Sequence, residues 1–103
     1  MSVLMEFAIF PTDKGDSVSK QVSKVIGLIR ESGINYQLTA MGTLIETDEL
    51  PEALALVNSC YEVLEKDSDR VYCTLTMDIQ KNKHNRLTSK VESIENKIGK
   101  VKK

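Results

Sequence analysis

From Val71 to Ile79 every second residue is apolar (Val71, Cys73, Leu75, Met77, Ile79), and Tyr72, Thr74, Thr76 and Asp78 stand between them. A period of two puts successive side chains on opposite faces of an extended chain, so this run is a strand with one dry face. A strand needs neighbours, and the rest of the chain supplies three. In residues 3–10, Val3, Met5, Phe7 and Ile9 alternate with Leu4, Glu6, Ala8 and Phe10. Both rows are apolar except for Glu6, which predicts a central strand covered on both sides and stopped by Pro11. Tyr36–Met41 and Thr43–Thr47 read as two more strands, joined at Gly42 by a tight connection or bulge.

Between the strands the period changes. Val18, Val22, Val25, Ile26 and Ile29 recur at helical spacing, with Asp16 as the expected N-cap and Gly33 as the stop. A second helix is capped by Thr47 or Asp48, carries Pro51 in its first turn, and has Leu50, Leu54, Val57, Tyr61 and Leu64 as its expected buried stripe. Asp67-Ser68-Asp69 is a polar turn. After the loop Lys81–Asn85 a third helix carries Leu87, Val91, Ile94, Ile98 and Val101. The order β-α-β-β-α-β-α predicts one α+β domain over residues 1–103. Its first six elements form a ferredoxin-like β-α-β-β-α-β sandwich, and the C-terminal helix is an addition. Two helices cover one sheet face and leave the other open, with Leu4, Ala8, Phe10 and Tyr72 on it. Apolar surface of that kind is unfavourable in water, at about 25 cal/mol per Å². Self-association into a dimer or tetramer would cover it; the alternative is that the third helix folds back over its own sheet.

Composition narrows the function classes. Fourteen basic residues against fifteen acidic ones give a formal charge of -1, without the basic excess of a nucleic-acid-binding protein. No apolar run approaches the ~18 residues of a membrane span, and the N-terminus has no basic leader, so neither a nucleic acid nor a membrane is expected as partner and the expected location is cytoplasmic. Cys60 and Cys73 belong to no Cys-x-x-Cys pair and fall at apolar positions, which predicts two buried free thiols. His84 is the only histidine, so no catalytic triad and no zinc site can be assembled, and the five glycines are too scattered for a phosphate loop. Neither a cofactor nor an enzymatic activity is expected.

Several polar groups remain at element ends. Ser17 and Ser19 begin the first helix, where capping and solvent exposure explain them better than a ligand does. Asn35 and Tyr36 open the second strand. Thr43 follows Gly42, and Glu46 ends the same strand, where it could also favour the next helix through its dipole. Asp78 either faces water or pairs with a lysine.

Four stretches place these residues in a shared pattern. They are Phe10-Pro11 with Gly15-Asp16-Ser17-Val18-Ser19; Gly33-Ile34-Asn35-Tyr36-Gln37-Leu38; Met41-Gly42-Thr43-Leu44-Ile45-Glu46; and Arg70-Val71 running through to Asp78. In order and spacing, over residues 2 to about 100, the chain resembles the small thiamine-binding protein family. The resemblance implies a ferredoxin-like fold, assembly into dimers and tetramers through the sheets, and non-enzymatic binding of thiamine or its hydroxymethyl-pyrimidine part. It transfers binding roles to Ser17, Ser19, Asn35, Tyr36, Gly42, Thr43 and Glu46. An aminopyrimidine has a ring nitrogen suited to a carboxylate and an exocyclic amine suited to a hydroxyl, so Glu46 and Thr43 are expected to meet it together, with Phe10 or Tyr36 stacked on the ring. The chain departs from the family pattern after Asp78, where Ile79-Gln80-Lys81 stands in place of an early arginine. It departs again at Thr47-Asp48, where many relatives have glycine.

Overall fold

The computed structural model describes residues 1–15 and 18–103. Its elements are β1 (Ser2–Pro11), α1 (Ser19–Ser32), β2 (Asn35–Leu38), β3 (Thr43–Thr47), α2 (Leu50–Glu65), β4 (Val71–Gln80) and α3 (Arg86–Ile98). The strands lie in the order β2-β3-β1-β4 with all neighbours antiparallel. This is the ferredoxin-like α+β arrangement that the alternating periods predict, with α3 added. Pro11 is the last residue of β1 rather than the first beyond it. Asp16, the expected cap of α1, lies outside the described residues.

β1 has a partner on each side and is central, but only one of its rows is fully covered: Leu4, Ala8 and Phe10 of the other row are half-buried and Glu6 is exposed. Val3, Met5, Phe7 and Ile9 are buried with Val25 and Ile29 of α1, Ile45 of β3, and Ala53, Leu56, Cys60 and Leu64 of α2. The buried stripe of α2 therefore differs from the expected one: Leu54 and Tyr61 stay 45% and 42% exposed. Ala53 and Cys60 are small and let the helix approach the sheet closely, so the face that carries them is the one that turns inward. The cap differs as well. Glu49 is the N-cap of α2, in a reciprocal capping box with Glu52, whose Oε1 accepts from the Glu49 N–H at 3.1 Å. Thr47 is buried and donates to the Glu49 carbonyl at 2.8 Å, bracing the turn from outside the helix.

β4 sits at the sheet edge and pairs only with β1. Its apolar row lies on the helix-bearing side, opposite Val3, Met5, Phe7 and Ile9, yet Leu75, Met77 and Ile79 remain exposed because α1 and α2 cover the centre of the sheet. The expectation of two buried thiols accordingly holds for Cys60 alone; both cysteines are free, but Cys73 is exposed. Burial pushes the Cys60 thiol up to about 11.

α3 lies on the opposite side of the sheet. Its first turn is fastened there, with Arg86 and Leu87 buried, while Ile94 and Ile98 further along are 49% and 73% exposed. The helix thus folds back onto its own sheet only at its start. Past its end the chain turns back on Glu95, whose carboxylate accepts from the Val101 N–H and from Lys103 Nζ. No helix among the described residues is long and apolar enough to cross a membrane.

Candidate functional site

β2 stops at Leu38, short of the expected Met41, because Thr39 closes a turn. Its hydroxyl donates to the Gly42 carbonyl at 2.7 Å and accepts from the N–H groups of Met41 and Gly42 at 3.3 and 3.2 Å. Its own N–H donates to the same Gly42 carbonyl at 2.9 Å. Gly42 then passes so close to β1 that an added Cβ would stand 2.9 Å from the Phe7 carbonyl oxygen. That close approach sets Thr43 cross-strand from Phe7, on the helix-bearing side of the sheet and only 4% exposed. Between this hairpin and α1 lies a cavity of about 280 Å³. Phe7 and Ile9 of β1 and Val22, Val25 and Ile26 of α1 form one wall, and residues 38–43 form the other. Among the described residues no hydrogen bond engages the Thr43 hydroxyl.

Glu46 belongs to a different place. Side chains alternate along β3, and Glu46 pairs with Leu4 and Asn35 on the face opposite to Thr43. The joint contact expected of Thr43 and Glu46 is therefore not possible, since the sheet itself lies between them. The Glu46 carboxylate already has partners: Oε2 accepts from the Ser2 hydroxyl and, at 2.9 Å, from the Arg86 N–H, while Oε1 accepts from the Leu87 N–H at 2.9 Å. These amides belong to the first turn of α3 and have no intrahelical acceptor, so a β3 carboxylate caps a helix forty residues further on. Burial pushes the Glu46 carboxyl up, but the Ser2 hydroxyl, the two amides and the Arg86 guanidinium together hold it below its ordinary range.

Arg86 completes this clamp. Its Nη2 donates to the carbonyls of Ser2, at 2.8 Å, and Asp78, and its Nε donates to the Ser2 hydroxyl at 3.2 Å. Nη1 stands 2.9 Å from Asp78 Oδ2 as an ion pair. Lys90 reaches the same carboxylate oxygen at 3.3 Å, and this contact, with the nearby Arg86 charge, lowers the Asp78 pKa. Asp78, at the end of β4, is thus paired with an arginine and a lysine from α3.

Three of the remaining residues border one or other of these two places. Phe10 and Gly42 border the cavity with Thr43, although the Phe10 ring lies on the far face, 5.8 Å from the Tyr72 ring. Asn35 and Glu46 border a polar depression of about 460 Å³, together with Asp48, Glu52 and His84. Tyr36 is half-buried against the core, cross-strand from Ile45 and away from both places. Ser19 opens α1, and its carbonyl accepts from the Ser23 hydroxyl. Ser17 lies outside the described residues. Thr39 and Arg86 were not anticipated; a threonine three residues before a glycine was the available sign of the first, and nothing local marked the second. No group of three or more His, Cys, Asp or Glu side chains among the described residues is placed to hold a metal ion.

Comparison with known proteins agrees with this architecture. Residues 5–95 match the family described as thiamine-binding protein. A UPF0045 protein of Methanothermobacter thermautotrophicus is 36% identical over 80% of this chain and 84% of its own length. The crystal structure of a hypothetical protein of Methanocaldococcus jannaschii superposes with a TM-score of 0.81 at 34% identity, covering 90% of this chain and 95% of that one. A Thermotoga maritima structure, described as a putative thiamine biosynthesis/salvage protein, has the same fold at a TM-score of 0.79 and 19% identity, over 91% of this chain and 99% of its own.

Proposed function

The chain belongs to the thiamine-binding protein family, and we propose that it binds thiamine, through the hydroxymethyl-pyrimidine part, in the cavity beside Gly42. The observation that carries this reading is the pairing of an apolar cavity of about 280 Å³ with the hydroxyl of Thr43, a residue otherwise buried, on its lining. A flat heteroaromatic ring meets apolar walls on its faces and donates its exocyclic amine to the Thr43 oxygen. Small-molecule pockets run from about 300 Å³ upward, so this volume suits one ring, with the thiazolium left toward the mouth. The Thermotoga protein's description as a thiamine biosynthesis/salvage protein agrees with the ligand class, although at 19% identity its likeness supports only the fold.

Binding without turnover is the proposed activity, in the cytoplasm and by a single domain spanning residues 1–103. Self-association accompanies it. The outer edge of β4, exposed Leu75, Met77 and Ile79, and the open face around Leu4, Ala8 and Phe10 give a second copy apolar surface to cover. The alternative function, an interaction module with no small-molecule ligand, draws on these same surfaces. Calorimetric titration with thiamine and with hydroxymethyl-pyrimidine separates the two. Saturable one-to-one heat that shrinks in Thr43→Val supports the binding protein. Absence of heat with both compounds supports the module.

A further inference from the structure

The wall of the cavity that faces α1 ends in two exposed apolar side chains. Leu38 and Met41 both line the cavity, yet Leu38 is 56% and Met41 86% exposed. They flank a turn whose base is held twice, by the Thr39 hydroxyl bonds to residues 41 and 42 and by the close approach of Gly42 to the Phe7 carbonyl. We infer that Leu38 and Met41 form a clasp that closes over the ring of the bound ligand, and that Thr39 is the positioning residue that aims it. This rests on the reading of the cavity as the thiamine site and adds what holds the ligand in.

The chemistry of the parts supports this role. Methionine is unbranched, with a polarizable sulfur that packs favourably against aromatic rings, so Met41 can fold down over a heterocycle without rearranging the backbone. With the cavity unfilled, the Met41 side chain stands in water beside an apolar recess; with a ring in place, the lip and the ring are both removed from water. The core wall is already packed and cannot move toward the ligand. Any closure therefore has to come from the lip. A clasp of this kind acts after encounter, and so it lengthens residence more than it speeds association.

The test uses the full chain and thiamine, with hydroxymethyl-pyrimidine as a second probe. Met41→Ala is expected to weaken thiamine binding by about tenfold, mostly through faster dissociation, with no change in melting temperature because the side chain buries nothing in the free protein. Met41→Leu should restore most of the affinity. Thr39→Val should lose a similar factor and Thr39→Ser should keep it. The double variant Thr39→Val/Met41→Ala should be no weaker than Met41→Ala alone, the non-additivity expected of a residue that acts through another. A merely structural Thr39 would instead add its loss to that of Met41. Thiamine binding in the wild type with unchanged affinity and dissociation rate in Met41→Ala overturns the clasp and leaves the cavity reading intact. Wild-type protein that binds neither probe overturns both.

Discussion

Thr43 and Glu46 are three residues apart and do opposite jobs, because a strand turns alternate side chains to opposite faces. Thr43 faces the cavity; Glu46 caps α3. Thr43→Val should therefore weaken thiamine binding by about 1 kcal/mol, roughly fivefold, in a titration, while the protein stays folded. Glu46→Gln should leave that affinity within about twofold but lower the unfolding free energy by roughly 1–3 kcal/mol in a denaturant titration. An ionised acceptor shared by two helix amides and the Ser2 hydroxyl would become a neutral amide with only one oxygen. If Glu46→Gln instead lost binding at unchanged stability, the ligand would lie in the polar depression and not in the cavity. Gly42→Ala should destabilise by about 1–3 kcal/mol, since its methyl would meet the Phe7 carbonyl and not a movable side chain.

At the scale of elements, the periodicity of β1 and the β-α-β-β-α-β order were enough to read the sheet and its two covering helices. The burial of β4 was not readable in the same way. An alternating strand looks identical in sequence at the centre and at the edge of a sheet, and only the pairing shows that Leu75, Met77 and Ile79 lie beyond the reach of the helices. One consequence is measurable: a thiol reagent should modify Cys73 of the dissociated native chain and Cys60 only after unfolding. Two fast equivalents would contradict the burial of Cys60. The clamp on α3 was also hidden, because it joins Ser2, Glu46, Asp78 and Arg86 from four separate segments. Glu46 has its pKa lowered in the folded state, so its contribution is complete above its ordinary value of about 4.5 and is lost as pH falls through the lowered one. Exposed Asp78 shifts in the same direction. Protection factors at the Arg86 and Leu87 amides should therefore fall in acid ahead of those in β1, and Glu46→Gln should abolish that acid dependence. An equal fall in protection throughout the chain would rule out a local clamp.

On the scale of the whole molecule, a small sheet is covered well on one face and partly on the other, and its longest exposed edge is apolar. Light scattering at micromolar concentration should give a mass at least twice the chain's 11.5 kDa; a monomer at all concentrations would leave the β4 edge and the open face around Leu4, Ala8 and Phe10 without the proposed cover. The cavity proposed to bind the ligand is built from the same sheet's hairpin end and the first turns of α1, away from the α3 clamp. Ligand affinity and clamp integrity are therefore expected to vary independently. The most direct measurement is calorimetric titration of wild-type, Thr43→Val and Glu46→Gln proteins with thiamine and with hydroxymethyl-pyrimidine. The predicted result is saturable one-to-one binding of both compounds by the wild type, weakened roughly fivefold in Thr43→Val and preserved in Glu46→Gln. Absence of binding by the wild type, or a loss confined to Glu46→Gln, would contradict a thiamine site beside Gly42.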